Sequence, residues 1–168
     1  LHGVTTSSIT CVGKNTEAQL GTSMMTDRTF FTANSASLLG SGMTYSCLTL
    51  DDAGKASARC WGKMSYHDGH EWSPDSSPLA PNAKVLALDA PQNLIDLSTG
   101  DNHACFILST NSTSSGNIAC VGDNSHGQLG TRSSTMSFVP KLRFTDITAA
   151  SFRSVSAGGA HTCALDEE

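Results

Sequence analysis

Cys47, Cys105 and Cys163 stand 58 residues apart, and that spacing constrains the fold more than any other feature of the chain. A glycine lies five residues before each (Gly42, Gly100, Gly158), an aliphatic residue eight before (Leu39, Leu97, Val155) and a ring two before (Tyr45, His103, His161). Apolar residues follow: Leu48 and Leu50, Phe106 and Leu108, Ala164 and Leu165. Cys11, Cys60 and Cys120 form a second series, each followed by a bulky apolar residue and then glycine (Val12-Gly13, Trp61-Gly62, Val121-Gly122). After Cys11 and Cys120 one phrase recurs at identical offsets: Asn15 through Gln19-Leu20-Gly21-Thr22, and Asn124 through Gln128-Leu129-Gly130-Thr131. The middle copy keeps Cys60-Trp61-Gly62 and loses the phrase in residues 63–70. Such a fixed period marks a repeat architecture, in which each unit buries its apolar face only against its neighbours.

Each unit reads as strands. Residues 46–50, 103–108, 118–122 and 9–13 are short apolar or β-prone runs bounded by Gly, Ser, Asn or Asp. Residues 51–54 and 111–116 are turn material. Residues 47–60 and 105–120 therefore each span a hairpin, which sets the two cysteines on neighbouring antiparallel strands. Directly opposed residues bring their Cβ atoms about 4.5–5.5 Å apart, close to disulfide reach. Cys47 is paired with Cys60 and Cys105 with Cys120 on this ground. Gly42, Gly100 and Gly158 are expected ahead of an inner strand, where blades crowd and a side chain would clash. Gly21 and Gly130 are expected to close a turn at positive φ.

Composition narrows the class. Charged residues make up 15% and hydrophobic ones 38% of the 168 residues, too little charge for an ordinary helical protein and too much apolar content for disorder. The net charge is −5 and no segment concentrates Lys or Arg, which sets aside a nucleic-acid surface. No apolar run approaches the roughly 18 residues of a membrane span. Six cysteines without a Cys-x-x-Cys pair read as extracellular disulfides rather than a zinc site. Asn111-Ser112-Thr113 is the sequon of the chain, so Asn111 is the candidate glycosylation site. The chain opens at Leu1 without Met or a signal peptide, as a mature product or trimmed segment would.

The repeated residues resemble the regulator-of-chromosome-condensation repeat family. Its Gly-x-x-His-x-Cys-Ala-Leu segment has its counterpart in residues 158–165, Gly-Gly-Ala-His-Thr-Cys-Ala-Leu. Its Cys-x-Gly-x-Asn-x-x-Gly-Gln-Leu-Gly segment has its counterpart in residues 120–130, Cys-Val-Gly-Asp-Asn-Ser-His-Gly-Gln-Leu-Gly. The paired cysteines resemble the family's secreted branch. The resemblance implies an all-β propeller with four-stranded blades, often seven. Here about three repeats are expected: a half repeat at 1–37, repeats at 38–93 and 94–150, and a half repeat at 151–168. A propeller normally needs at least four blades to close. Three outcomes are open: a piece of a longer ring, two copies in a six-bladed ring, or head-to-tail addition without closure. In the last two, Cys163 of one chain meets Cys11 of the next.

No catalytic set stands out. His103 and His161 share a strand face with a cysteine, but Tyr45 fills that place in the first copy, so a structural role is expected. His67 and His70, with Asp68 and Glu71, have the spacing to hold a metal on a turn. A solvated insertion is the preferred reading, and no metal or cofactor is assigned. With Trp72 and the prolines up to Pro81, this stretch is the candidate contact loop, since exposed aromatic residues in loops favour recognition. Trp72 tucked over a blade edge is the equal alternative. No Gly-x-Ser-x-Gly elbow is present, and Gly13-Lys14, Gly54-Lys55 and Gly62-Lys63 lack the Ser or Thr a phosphate loop requires. The expected function is a secreted, non-enzymatic binding or structural scaffold whose partner is a protein or a second copy of itself. The alternatives are nucleotide exchange on a small GTPase, as in the family's nuclear namesake, secreted enzyme inhibition, and a lectin-like or metal-dependent hydrolytic role in the His67 loop.

Overall fold

The computed structural model describes residues 6–21, 28–34, 36–52, 55–65, 71–72, 85–86, 93–109, 114–131, 143–144 and 151–166. Every regular element among them is a strand: β1 (Thr6–Val12), β2 (Arg28–Asn34), β3 (Ala36–Ser41), β4 (Tyr45–Asp52), β5 (Lys55–Gly62), β6 (Met64–Ser65), β7 (Glu71–Trp72), β8 (Val85–Leu86), β9 (Asn93–Thr99), β10 (His103–Ser109), β11 (Asn117–Gly122), β12 (Arg143–Phe144), β13 (Phe152–Ala157) and β14 (Thr162–Asp166). Two antiparallel four-stranded sheets, β3-β4-β5-β8 and β9-β10-β11-β12, are the full blades. Two-stranded sheets β1-β2 and β13-β14 are the half blades, and β6-β7 is a small side ladder. The fold is that of a partial propeller. β9 lies against both β3 and β13, so the first strands of successive blades run side by side, as the innermost strands of a propeller do.

The cysteine strands are the second and third of each blade. β4 pairs with β5 so that Cys47 opposes Cys60, and β10 pairs with β11 so that Cys105 opposes Cys120. Both pairs are disulfide-bonded. β10 is buried along its whole length because neighbouring blades cover both of its faces, which is why it reads as a continuous apolar run. The apolar core lies between blades. One cluster joins the full blades and includes Tyr45, Cys60, Met64, Phe106 and Val121. A second joins the second full blade to β13 through Ile107, Ile118, Leu129, Phe152 and Val155. A third joins β1 to the first full blade through Ile9, Leu48, Leu50 and Trp61. Fully burying a side chain such as Phe106 contributes about 1.5–3 kcal/mol, so each blade depends on its neighbour.

Polar bonds tie the innermost strands. An Asp96 carboxylate oxygen accepts hydrogen bonds from Val155 N at 2.8 Å and Ser154 Oγ at 3.0 Å, and Ala157 N donates to Ser98 Oγ at 2.9 Å. The recurrent glycines follow the first strand of each blade rather than preceding an inner one. A Cβ on Gly100 would sit 2.2 Å from His103 Cε1 and 2.4 Å from the Gly158 carbonyl oxygen, and one on Gly42 would meet the Tyr45 ring and the Gly100 carbonyl. The ring two residues before each cysteine packs on its own blade's glycine, so the two positions recur together.

Candidate functional site

The recurrent rings form a column across the blades. Tyr45 Oη donates to the His103 carbonyl and, at 3.2 Å, to the Gly100 carbonyl. Burial, with the nearby Asp101 carboxylate, pushes the Tyr45 phenol far above its ordinary range. In the next blade His103 Nε2 lies 2.9 Å from Thr162 Oγ1. That hydroxyl donates to the Gln128 carbonyl at 2.9 Å, so it accepts from His103, and the neutral ring carries its proton on Nε2. Burial lowers the His103 pKa below the ordinary imidazole value, partly opposed by the Asp123 and Asp101 carboxylates. The ring is wholly buried, and Cys105 is held in its disulfide. A nucleophile pair is therefore not assembled there.

The Asn…Gln-Leu-Gly phrase is a self-stapled loop. Asn15 Oδ1 accepts from Leu20 N, and Gln19 Oε1 accepts from Glu17 N, each at 2.9 Å. Asn124 and Gln128 do the same for Leu129 N and His126 N at 2.9 and 2.8 Å. Positive φ falls at Gly21 and Gly130, and also at Gly127 and its counterpart Ala18. The loop's carbonyl reaches forward: Gln19 O accepts from Trp61 Nε1 at 2.9 Å and from Ser46 Oγ at 3.0 Å. Gln128 O accepts from Thr162 Oγ1 in the same way. In the middle copy, which lacks the phrase, the residue before the cysteine is Ala104.

Beside this loop Ser125 Oγ donates to Asp123 Oδ2 at 2.7 Å and lies 2.9 Å from His126 Nδ1. The hydroxyl's single proton goes to the carboxylate, so His126 is its donor rather than its base. These neighbours stabilise the turn and do not have the geometry of a base-activated nucleophile.

Between β11 and β14 lies a cavity of about 300 Å³, lined among others by Ile118, Gln128, Leu129, Phe152, Thr162 and Ala164. Some apolar side chains of the half blades are exposed where their counterparts in the full blades are buried. Val12 is 61% exposed, where its counterparts Trp61 and Val121 are buried. Leu165 is 49% exposed, where its counterpart Ile107 is buried. Cys163 is an exposed free thiol and Cys11 a half-buried one, whose pKa burial raises.

The sequence-derived loop candidates fare differently. His67, His70 and Asn111 lie outside the described residues. Trp72 is placed by its backbone alone, opposite Met64 in the β6–β7 ladder. Among the described residues no group of three or more His, Cys, Asp or Glu could hold a metal ion, and no helix is long and apolar enough to cross a membrane. The cavity and the exposed apolar residues beside the free cysteines were not singled out from sequence.

Residues 115–165 match the Regulator of chromosome condensation (RCC1) repeat. In structure the chain is similar to yeast RCC1 (Prp20), solved in complex with Kap60: TM-score 0.67 and 18% identity, over 92% of this chain and 37% of that one. It is also similar to human WBSCR16: TM-score 0.62 and 15% identity, over 96% of this chain and 45% of that one. The chain thus spans less than half the length of either protein. No curated protein matches it in sequence.

Proposed function

As a chain that carries the RCC1 repeat on a partial propeller of that kind, the protein is, we propose, a non-enzymatic scaffold that binds other proteins in an oxidising, extracellular or cell-surface setting. The observation that carries this reading is the pair of directly opposed, buried cysteine pairs, Cys47–Cys60 and Cys105–Cys120. Cysteines in that register are spent on structure, and such bonds persist outside the reducing cytosol and nucleus. A rigid stack of blades presenting variable loops suits recognition. The similar yeast protein was solved bound to a protein partner, which fits the reading by analogy. A regulator of a small GTPase is the second reading, favoured by that fold likeness and opposed by the disulfides.

The test is thiol alkylation without reductant on protein from its native source, followed by peptide mass mapping, with glycosidase treatment for Asn111. The reading expects Cys47, Cys60, Cys105 and Cys120 to resist alkylation and a glycan on Asn111. Six freely alkylated cysteines would transfer the case to the GTPase reading.

A further inference from the structure

We propose that the joint between the second full blade and the β13–β14 blade is a hinge that opens in acid, with His103 as its trigger, while the joint between the two full blades, closed by Tyr45, stays shut at the same pH.

The two joints share one plan and differ in one ring. Tyr45 and His103 stand 58 residues apart. Both are wholly buried, and each reaches from the second strand of its blade to the blade that follows. Tyr45 Oη donates to carbonyls of that blade, Gly100 and His103. A phenol held far above its ordinary range keeps the same proton and the same bonds throughout the acid range. His103 is a different group. Its neutral ring spends the Nε2 proton on Thr162 Oγ1, 2.9 Å away. Its Nδ1 lies buried with no hydrogen-bond partner among the described residues. A proton taken up at Nδ1 puts a full charge in a site closed to water, where a charge costs far more than a neutral ring.

The groups around the ring set the sign. Burial disfavours the charged ring most strongly, and the His161 side chain adds to it. The Asp123 carboxylate, the His161 backbone and the Asp101 carboxylate favour the charged ring without reversing the balance. Thr162 and Tyr45, which bond to the ring and to its carbonyl, are uncharged. The folded pKa therefore lies below the ordinary imidazole value of about 6.5. Opening returns the ring to water and to that ordinary value. The open joint then binds more protons, so it gains population as pH falls through about 6.5.

The bonds across the joint show where it opens. Beyond the end of β13, the blades are joined by His103–Thr162, by Thr162 Oγ1 to Gln128 O at 2.9 Å, and by Asp101 N to Gly159 O at 3.2 Å. These bonds contain or flank His103. At the start of β13, Gly116 and Phe152 exchange two backbone hydrogen bonds of 2.8 Å, and Ser151 Oγ donates to Ser115 Oγ at 2.9 Å. Along the inner edge Asp96 holds Ser154 and Val155. His103 takes no part in these last bonds. They are the pivot, and the Gly158–Thr162 end is the part that swings.

The test is hydrogen–deuterium exchange on the disulfide-intact chain at pH 7.5 and 5.0, read at single amides, each rate divided by its intrinsic rate at that pH. The Asp101 amide, which donates across the joint, is expected to lose protection roughly 5- to 30-fold at pH 5.0. About 30-fold is the ceiling for a ring that regains a pKa of about 6.5 on opening. The Gly116 and Phe152 amides at the pivot are expected to change by less than about twofold, and so is the Gly42 amide, held by the Tyr45 carbonyl beside the first joint. His103→Gln keeps an N–H for Thr162 and cannot titrate; His103→Tyr restores the ring of the first copy. Each is expected to abolish the loss at Asp101. In the unsubstituted chain, an NMR titration of the His103 ring is expected to share its midpoint with that loss, a check that needs no variant to fold. Unchanged protection at Asp101 would overturn the proposal. An equal loss at Gly116 and Phe152 would do the same, since it marks unfolding of the whole joint, as would a loss that persists in both variants or a midpoint apart from that of His103.

Discussion

The carbonyl of Gln19 allows a double-mutant cycle with a defined sign. It is buried and accepts two hydrogen bonds from the next blade, from Trp61 Nε1 and Ser46 Oγ. Trp61→Phe removes one donor, a net loss of about 1 kcal/mol. It also leaves part of the space between β1 and the first full blade empty, which costs about another 1 kcal/mol. Ser46→Ala costs about 1 kcal/mol. In either single variant the carbonyl keeps a partner. In the double variant it keeps none, and an unsatisfied buried acceptor costs about 1–3 kcal/mol more. The double variant is therefore expected to lose roughly 4–6 kcal/mol against about 3 for the sum of the singles. That excess stands well above the 0.3–0.5 kcal/mol within which independent sites add. Urea unfolding followed by circular dichroism measures it, and amide exchange over residues 6–21 separates local loosening of β1 from global unfolding. Additivity within about 0.5 kcal/mol would refute the reasoning, because it would mean that water reaches the carbonyl once the donors are gone.

Three further outcomes follow from residues described above. Ala18 sits at φ 58° where Gly127 serves in the third copy; a left-handed alanine costs about 1–2 kcal/mol and a glycine loses about 0.4–1 kcal/mol in chain entropy. Ala18→Gly should thus gain about 0.5–1 kcal/mol, and a thermal melt that fails to rise would contradict this. His103 is neutral in the fold with its pKa held down by burial, while the unfolded chain takes up its proton near pH 6.5. The unfolded state then binds more protons below that pH, so stability is lost as pH falls through about 6.5 toward the folded value. His103→Tyr, which restores the ring of the first copy, should flatten that part of the Tm–pH curve; an unchanged slope would count against the assignment. Replacing both Cys105 and Cys120 by serine opens a bond across a sequence separation of 15, a loss of about 3 kcal/mol in the chain-entropy model, measurable as the shift in urea midpoint.

The repeat was legible because its chemistry is local and periodic. Cysteines at a constant offset on two strands of a hairpin can be paired by counting, and the register sets them directly opposite. The first strands were not legible. Ala36–Ser41, Asn93–Thr99 and Phe152–Ala157 mix small, polar and aliphatic residues, and their strand state comes from backbone pairing and the neighbouring blade rather than from their own pattern. The glycines were legible as constrained positions but not in their cause, since the atoms a Cβ would strike belong to a ring three residues on and to the next blade's glycine. The cavity was least legible. It is lined by Ile118, Gln128, Leu129, Phe152 and Ala164, which stand apart along the chain and meet only in space.

The forward reach of the Gln-Leu-Gly loop has a consequence for how such chains can be shuffled. Copies whose upstream loop offers its carbonyl carry a hydroxyl before the cysteine, Ser46 and Thr162, and the copy whose upstream loop has diverged carries Ala104. Loop and hydroxyl are a matched pair lodged in different blades, about 30 residues apart along the chain. A crossover or graft whose border falls between them separates lock from key. It leaves a carbonyl without its hydroxyl on one side, or a hydroxyl without its carbonyl on the other. The transferable module is therefore the joint between blades, with each donor moving together with the loop it serves.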